Sequence, residues 1–168
     1  DSTLPQDGIP PEMNGEPPTP AQLASIPDSF VRNLAALGRV RTYPKNTVFI
    51  TEGDSSDSVF VILSGKVKAF VSDSEGHELI LNNQVPGDYV GEMALDGKPR
   101  SASVVTLEPT TFSVVQREPL LEAIRQNPDF ALEMIGKVIE RAREATDNVK
   151  NLALLDVYGR VARLLLNM

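Results

Sequence analysis

The stretch VGEMALDGKPRSASV (Val90–Val104) decides how this chain is read. Glu92 stands eight residues ahead of Arg100, with the turn-forming Gly97-Lys98-Pro99 between them. The plainer reading is a surface ion pair across a turn, which contributes about 0–1 kcal/mol. The other reading is a grip on a small anionic ligand that carries hydroxyls, such as a cyclic phosphate on a ribose. Arg100 would hold the phosphate through charge-assisted, bidentate bonds that contribute roughly 1.5–3 kcal/mol when shielded from water. The hydroxyls of Ser101 and Ser103, and the backbone N–H groups after Gly91, are further donors. Glu92 repels a phosphate but accepts a hydrogen bond from a sugar hydroxyl. A lone Glu-x7-Arg favours the ion pair, so the neighbouring sequence has to choose.

Outward from this stretch the chain reads as short strands. NTVFI (46–50), SVFVIL (58–63), KVKAFV (66–71), HELILNN (77–83), SASVVTL (101–107) and TTFSVV (110–115) are rich in Val, Ile, Phe and Thr. Turn formers separate them: EGD, SG, DSEG, PGD and DGKP. Many short strands at such spacing predict a sandwich or jelly roll. In KVKAFV, Val67, Ala69 and Val71 share one face. The grip therefore lies between strands of a β-roll and ahead of a long helix that can act as a lid.

Helices flank the strands. Pro27-Asp28-Ser29 offers an N-cap, Phe30, Val31, Leu34 and Leu37 follow at helical spacing, and Gly38 supplies a stop. REPLLEAIRQNP (117–128) predicts a short helix that ends at Asn127-Pro128. From Asp129 a long helix follows, with Ile135, Val138, Ala142, Ala145, Val149 and Leu152 spaced 3, 4, 3, 4, 3. That is the seam of a coiled coil, flanked by charged residues, and it predicts a homodimer. The alternative is a helix packed on its own sheet. Asp156 and Gly159 occupy the next seam positions and predict a hinge.

The expected class is thus α+β, mainly β: a β-roll or jelly roll with a short N-terminal helix and a long C-terminal dimerisation helix. The expected divisions are a disordered, Pro-rich acidic tail over 1–27; the roll with its flanking helices over 28–128; the dimerisation helix over 129–156; and a hinge, or the start of a further domain, over 157–168.

Composition narrows the function. The net charge is −7, and residues 1–28 hold five acids with no Lys or Arg. Neither part offers a basic footprint for nucleic acid. With no Cys and one His, His77, the chain has no disulfide, thiolate nucleophile or iron–sulfur cluster. A catalytic metal site is not expected, and neither is enzyme activity. No apolar run is long enough to span a membrane, and no secretory signal is visible, which fits a cytoplasmic protein.

PGDYVGEMALDGKPRSASV (86–104) resembles the phosphate-binding cassette of cyclic-nucleotide-binding domains. VSDSEGHELILNNQVPGDYVGE (71–92) and NLALLDVYGRVARLLLNM (151–168) resemble the bacterial CRP/FNR family of transcription regulators, a likeness that covers about residues 28–168. The resemblance implies a cyclic nucleotide, cAMP first, as effector and no metal. It implies that Gly91, Glu92, Met93 and Ala94 hold the ribose and phosphate, with Glu92 on the 2′-hydroxyl. Arg100 and Ser101 would hold the phosphate, and Val67, Leu81 and Asn82 would wall the base. It also implies a helix-turn-helix domain beyond the hinge, where this sequence ends, and through it DNA and RNA polymerase as partners. Two departures stand out. The Glu92–Arg100 turn is two residues shorter than in the family's cAMP receptors. Ala145 stands where those receptors place their first base-contacting hydroxyl, while Thr146 keeps the second. The alternative is an interaction module of the same fold that binds no nucleotide.

Overall fold

A computed structural model of the chain describes residues 15–166, with backbone only for Ala94 and for 151–159. The backbone falls into two compact units that divide between Gln126 and Asn127. The first is mainly β. It opens with α1 (Pro20–Ala24) and α2 (Ser29–Ala35) and closes with α3 (Arg117–Gln126). Between them lie β1 (Arg39–Tyr43), β2 (Val48–Ile50), β3 (Val59–Ser64), β4 (Val67–Ser72), β5 (Glu78–Gln84), β6 (Tyr89–Val90), β7 (Ser103–Thr106) and β8 (Thr110–Val115). The strands form two four-stranded antiparallel sheets, ordered β1-β8-β3-β6 and β2-β7-β4-β5. The α+β, mainly β class holds.

Burial explains which stretches became strands. Every residue of β3 from Val59 to Leu63 is buried. That fits a continuous apolar run covered on both faces, as α2 packs on β3 and β8. Ser113 Oγ on β8 donates to the Ala35 carbonyl at 2.6 Å. Between the sheets, Ile50, Phe60, Ile62, Val67, Val104 and Phe112 form the centre of the core. Phe49, Phe60 and Phe112 pack ring to ring there, with centroids 4.5–5.5 Å apart.

The expected tail is shorter than the sequence predicts. Residues 1–14 lie outside the described residues, but from Gly15 onward the chain is built into the fold. The Val40 N–H donates to the Glu16 carbonyl at 2.7 Å, and Ile26 is buried. Pro20, inside the expected tail, stands at the first turn of α1, where its missing N–H costs nothing. Thr19 and Gln22 close a capping box around that start. Asp28 caps α2 as expected, accepting from the Phe30 and Val31 N–H groups.

The second unit is one helix, α4 (Pro128–Leu166), of 39 residues. Over the expected hinge, or start of a further domain, at 157–168, the described backbone stays helical past Asp156 and Gly159 to Leu166. A single glycine costs a helix about 1 kcal/mol against Ala, too little to interrupt one with full turns on both sides. Along α4, Ile135, Val138 and Val149 are 53%, 50% and 65% exposed. Ala142 and Ala145 are exposed too, whereas the Leu152 side chain lies outside the described residues.

Candidate ligand-binding site

The site is built from two segments far apart in sequence. The first runs from β6 through Gly91, a 3-10 turn over Glu92–Asp96 and the Gly97–Pro99 turn to Arg100 at the mouth of β7. Asp96 shapes the second turn, since its Oδ1 accepts the Lys98 N–H at 2.9 Å. The other segment is the loop over 51–58 that joins β2 to β3. Gly53 N–H donates to the Arg100 carbonyl at 2.9 Å, and Arg100 N–H donates to the Asp54 carbonyl at 2.7 Å. Ser103 adds a third tie, as its Oγ accepts the Glu52 N–H at 2.9 Å. That hydroxyl, read from sequence as a ligand donor, is buried and committed to the loop.

Arg100 is the centre of this arrangement and is only 4% exposed. That excludes the reading of a surface ion pair. Its Nη1 donates to the Gly91 carbonyl at 2.9 Å and its Nη2 to the Ser58 carbonyl at 2.9 Å. Its Nε donates to Ser56 Oγ at 3.1 Å. Burial pushes the guanidinium below its ordinary pKa range, while the carboxylates of Asp57, Asp54 and Glu92 push it back. An arginine in this setting keeps its charge. The Gly97–Pro99 turn brings Arg100 near Glu92, whose carboxylate acts on it, and the guanidinium is gripped equally closely by the carbonyl next to Glu92, at Gly91, and by that of Ser58.

Gly91 has φ +92°, and a Cβ there would stand 2.7 Å from Arg100 Nη1 and 2.9 Å from the Ser58 carbonyl oxygen. The glycine is therefore required twice, by conformation and by the arginine's approach. Glu92 is half-buried at the start of the 3-10 turn, and Met93 beside it is exposed. The Ala94 side chain lies outside the described residues. Ser101, exposed, approaches Met93, with Oγ 3.7 Å from Sδ. Arg117 at the start of α3 supports the same turn, as its Nη1 donates to the Leu95 carbonyl at 2.8 Å.

The expected base-wall residues lie on β4 and β5, and they differ in kind. Val67 is fully buried within the core. Asn82, exposed, pairs across the ladder with Ala69, so Ala69 and not Val67 is the β4 residue level with it. Leu81 is the extra residue where the register shifts between Ala69 and Phe70, and it is exposed. A bulge of this kind re-aims a side chain. Ala145 and Thr146 belong to α4. Thr146 Oγ1 donates to the Ala142 carbonyl at 3.0 Å, and its lone pairs remain as acceptors. Sequence reasoning missed Ser56, Ser58 and the carboxylates of Asp54 and Asp57. Its one available signal was the EGD turn, which it read as a spacer only.

Residues 40–127 match the family profile described as the cyclic nucleotide-binding domain. The chain is a cyclic-nucleotide-binding domain of the CRP/FNR family. It is 31% identical over 131 residues to the cAMP-activated global transcriptional regulator CRP of Salmonella typhimurium, covering 77% of this chain and 62% of that protein. The chain thus spans less than two thirds of the curated relatives' length. Its fold is similar to the crystal structure of the Thermus thermophilus catabolite activator protein, with TM-score 0.65 and 31% identity over 79% of this chain and 63% of that one. An EAL enzyme in its cAMP-bound form is also similar, with TM-score 0.52 and 28% identity over 67% of this chain and 30% of that one. The CRP/FNR domain described here thus has its curated relatives among transcription regulators, while a similar domain occurs within an enzyme.

Proposed function

We propose that this CRP/FNR-type domain senses a cyclic nucleotide, cAMP first, and passes that state to a DNA-binding domain through a homodimer. The observation that carries the reading is Arg100: buried, charged, and held by two carbonyls at 2.9 Å. Such a guanidinium keeps one further N–H on each of its two terminal nitrogens, and an oxyanion is the fitting partner for them. Ser101 adds a donor, and Glu92 accepts from the ribose 2′-hydroxyl. Ala69, Leu81 and Asn82 wall the base with Val67 behind them, and Gly91, Met93 and Ala94 complete the cradle. Thr146 offers an acceptor toward an amino group on the base, and Ala145 removes a second hydroxyl, which relaxes base selectivity. The partner copy joins along Ile135, Val138, Ala142, Ala145, Val149 and Leu152. DNA and RNA polymerase are met by the rest of a cytoplasmic regulator. Ligand shifts the population between two states of this dimer and needs only to prefer one of them.

Titration calorimetry with cAMP and cGMP on the wild type and Arg100→Ala tests the reading. The wild type is expected to bind, and Arg100→Ala to lose about 10- to 100-fold in affinity. Equal heats from the two proteins would remove the phosphate grip. No heat at millimolar ligand, and no rise in melting midpoint with any cyclic nucleotide, would leave an interaction module without a nucleotide.

A further inference from the structure

Ser56 lies in the loop between β2 and β3, exposed, and 44 residues from Arg100 along the chain. We propose that Ser56 is a further anion-binding residue of this site and the residue that positions the Arg100 guanidinium. The donor half of this inference rests on the cyclic-nucleotide reading; the positioning half does not.

The argument starts from the arginine. Its three nitrogens donate to three acceptors: Nε to Ser56 Oγ at 3.1 Å, Nη1 to the Gly91 carbonyl and Nη2 to the Ser58 carbonyl at 2.9 Å each. Two of these acceptors are backbone oxygens that every sequence supplies. The third is a side chain, so it is the one this sequence selects. Three acceptors around a planar group fix both its position and its rotation. The two backbone bonds between Arg100 and residues 53–54 hold the loop in the register that places Ser56 there.

A hydroxyl that accepts one hydrogen bond still has its own proton to donate. Ser56 Oγ is already one bond from the guanidinium that holds the anion. Donation to an equatorial phosphate oxygen uses that proton and links arginine, serine and phosphate in a chain where each bond polarises the next. Charge points to the same residue. Asp54 and Asp57, on the same loop, carry carboxylates that act on Arg100 and repel an anion. Ser56 is a neutral side chain bonded to Arg100, and it faces an anion without that repulsion.

The test uses the 168-residue chain with Ser56→Ala and Ser56→Thr, and cAMP with its Rp and Sp phosphorothioates as probes. Ser56→Ala is expected to weaken cAMP about 5- to 10-fold, and Ser56→Thr to stay within about 2-fold of wild type. The two phosphorothioates differ in which exocyclic oxygen is sulfur. Their affinity ratio is expected to fall several-fold in Ser56→Ala, a change that a merely structural role would not produce. Equal affinities with an unchanged ratio would overturn the donor role. Tighter binding by Ser56→Ala would overturn it too, because the serine would then compete with the anion for the arginine. Positioning is read without nucleotide, from exchange of the Arg100 Nε–H with water by nitrogen-15 NMR. Exchange is expected to accelerate several-fold in Ser56→Ala, and an unchanged rate would overturn positioning. If the wild type binds none of the three nucleotides, the cyclic-nucleotide reading fails and the donor role with it, while the exchange rate still decides positioning.

Discussion

Gly91 and Arg100 compete for one volume, and the glycine yields it. Gly91→Ala would force a side chain into a left-handed backbone at φ +92° and bring its Cβ to 2.7 Å from Arg100 Nη1. The conformational part costs about 1–2 kcal/mol, and displacing the guanidinium adds to it. The expected outcome is a loss of about 1–3 kcal/mol in urea unfolding together with a large loss of nucleotide affinity. A variant that kept full affinity would show that the guanidinium is free to sit elsewhere. At this scale the sequence was legible where side-chain chemistry carries the signal. Arg100, Glu92 and Gly91 could be named from spacing and residue type. The carbonyls of Gly91 and Ser58 could not, because every residue has one and only the fold says which are turned inward. Ser56 was hidden for a related reason, its partner being 44 residues away.

Two polar side chains with buried oxygens show how the strands are held and where they are not. Thr106 on β7 is fully buried; its Oγ1 accepts the Thr47 N–H at 2.8 Å and donates to the Pro44 carbonyl at 2.7 Å. Thr106→Val keeps the shape and removes both bonds, so a loss of about 1–3 kcal/mol is expected in urea unfolding. Gln84 ends β5 opposite Val67, and its Oε1 is buried with no hydrogen-bond partner among the described residues. Gln84→Leu removes that orphan at similar volume and is expected to raise stability by about 1 kcal/mol in the same measurement. A loss would mean that the amide has a partner in solution. Six of the eight strands were legible, because Val, Ile, Phe and Thr cluster between turns. β1 and β6 were not. In β1, Arg39, Val40, Arg41, Thr42 and Tyr43 have little apolar character, and the strand exists because β8 pairs with it residue by residue. Two-residue β6 is too short to show any period, and its pairing to β3 defines it.

At the scale of the whole molecule, α4 carries an exposed apolar stripe. Ile135, Val138 and Val149 are half or more exposed in the single chain, and Leu132 and Ile139 widen the stripe. A second copy along the 3,4 seam would bury it. Sedimentation is expected to give a dimer for the wild type at micromolar concentration and monomers for Val138→Glu combined with Val149→Glu. A wild-type monomer would remove the seam. Sequence by itself determined the class, the long helix, the cassette and its arginine. Each of these is written in local periodicity, in turn residues or in a side chain whose chemistry has few other uses. Tertiary structure alone decided that Arg100 is buried, that the loop over 51–58 is its other wall, that Ser103 is tied to that loop, and that Gly15 onward joins the fold. These rest on pairings between residues tens of positions apart, and hydrogen bonding to backbone oxygens leaves no trace in residue identity.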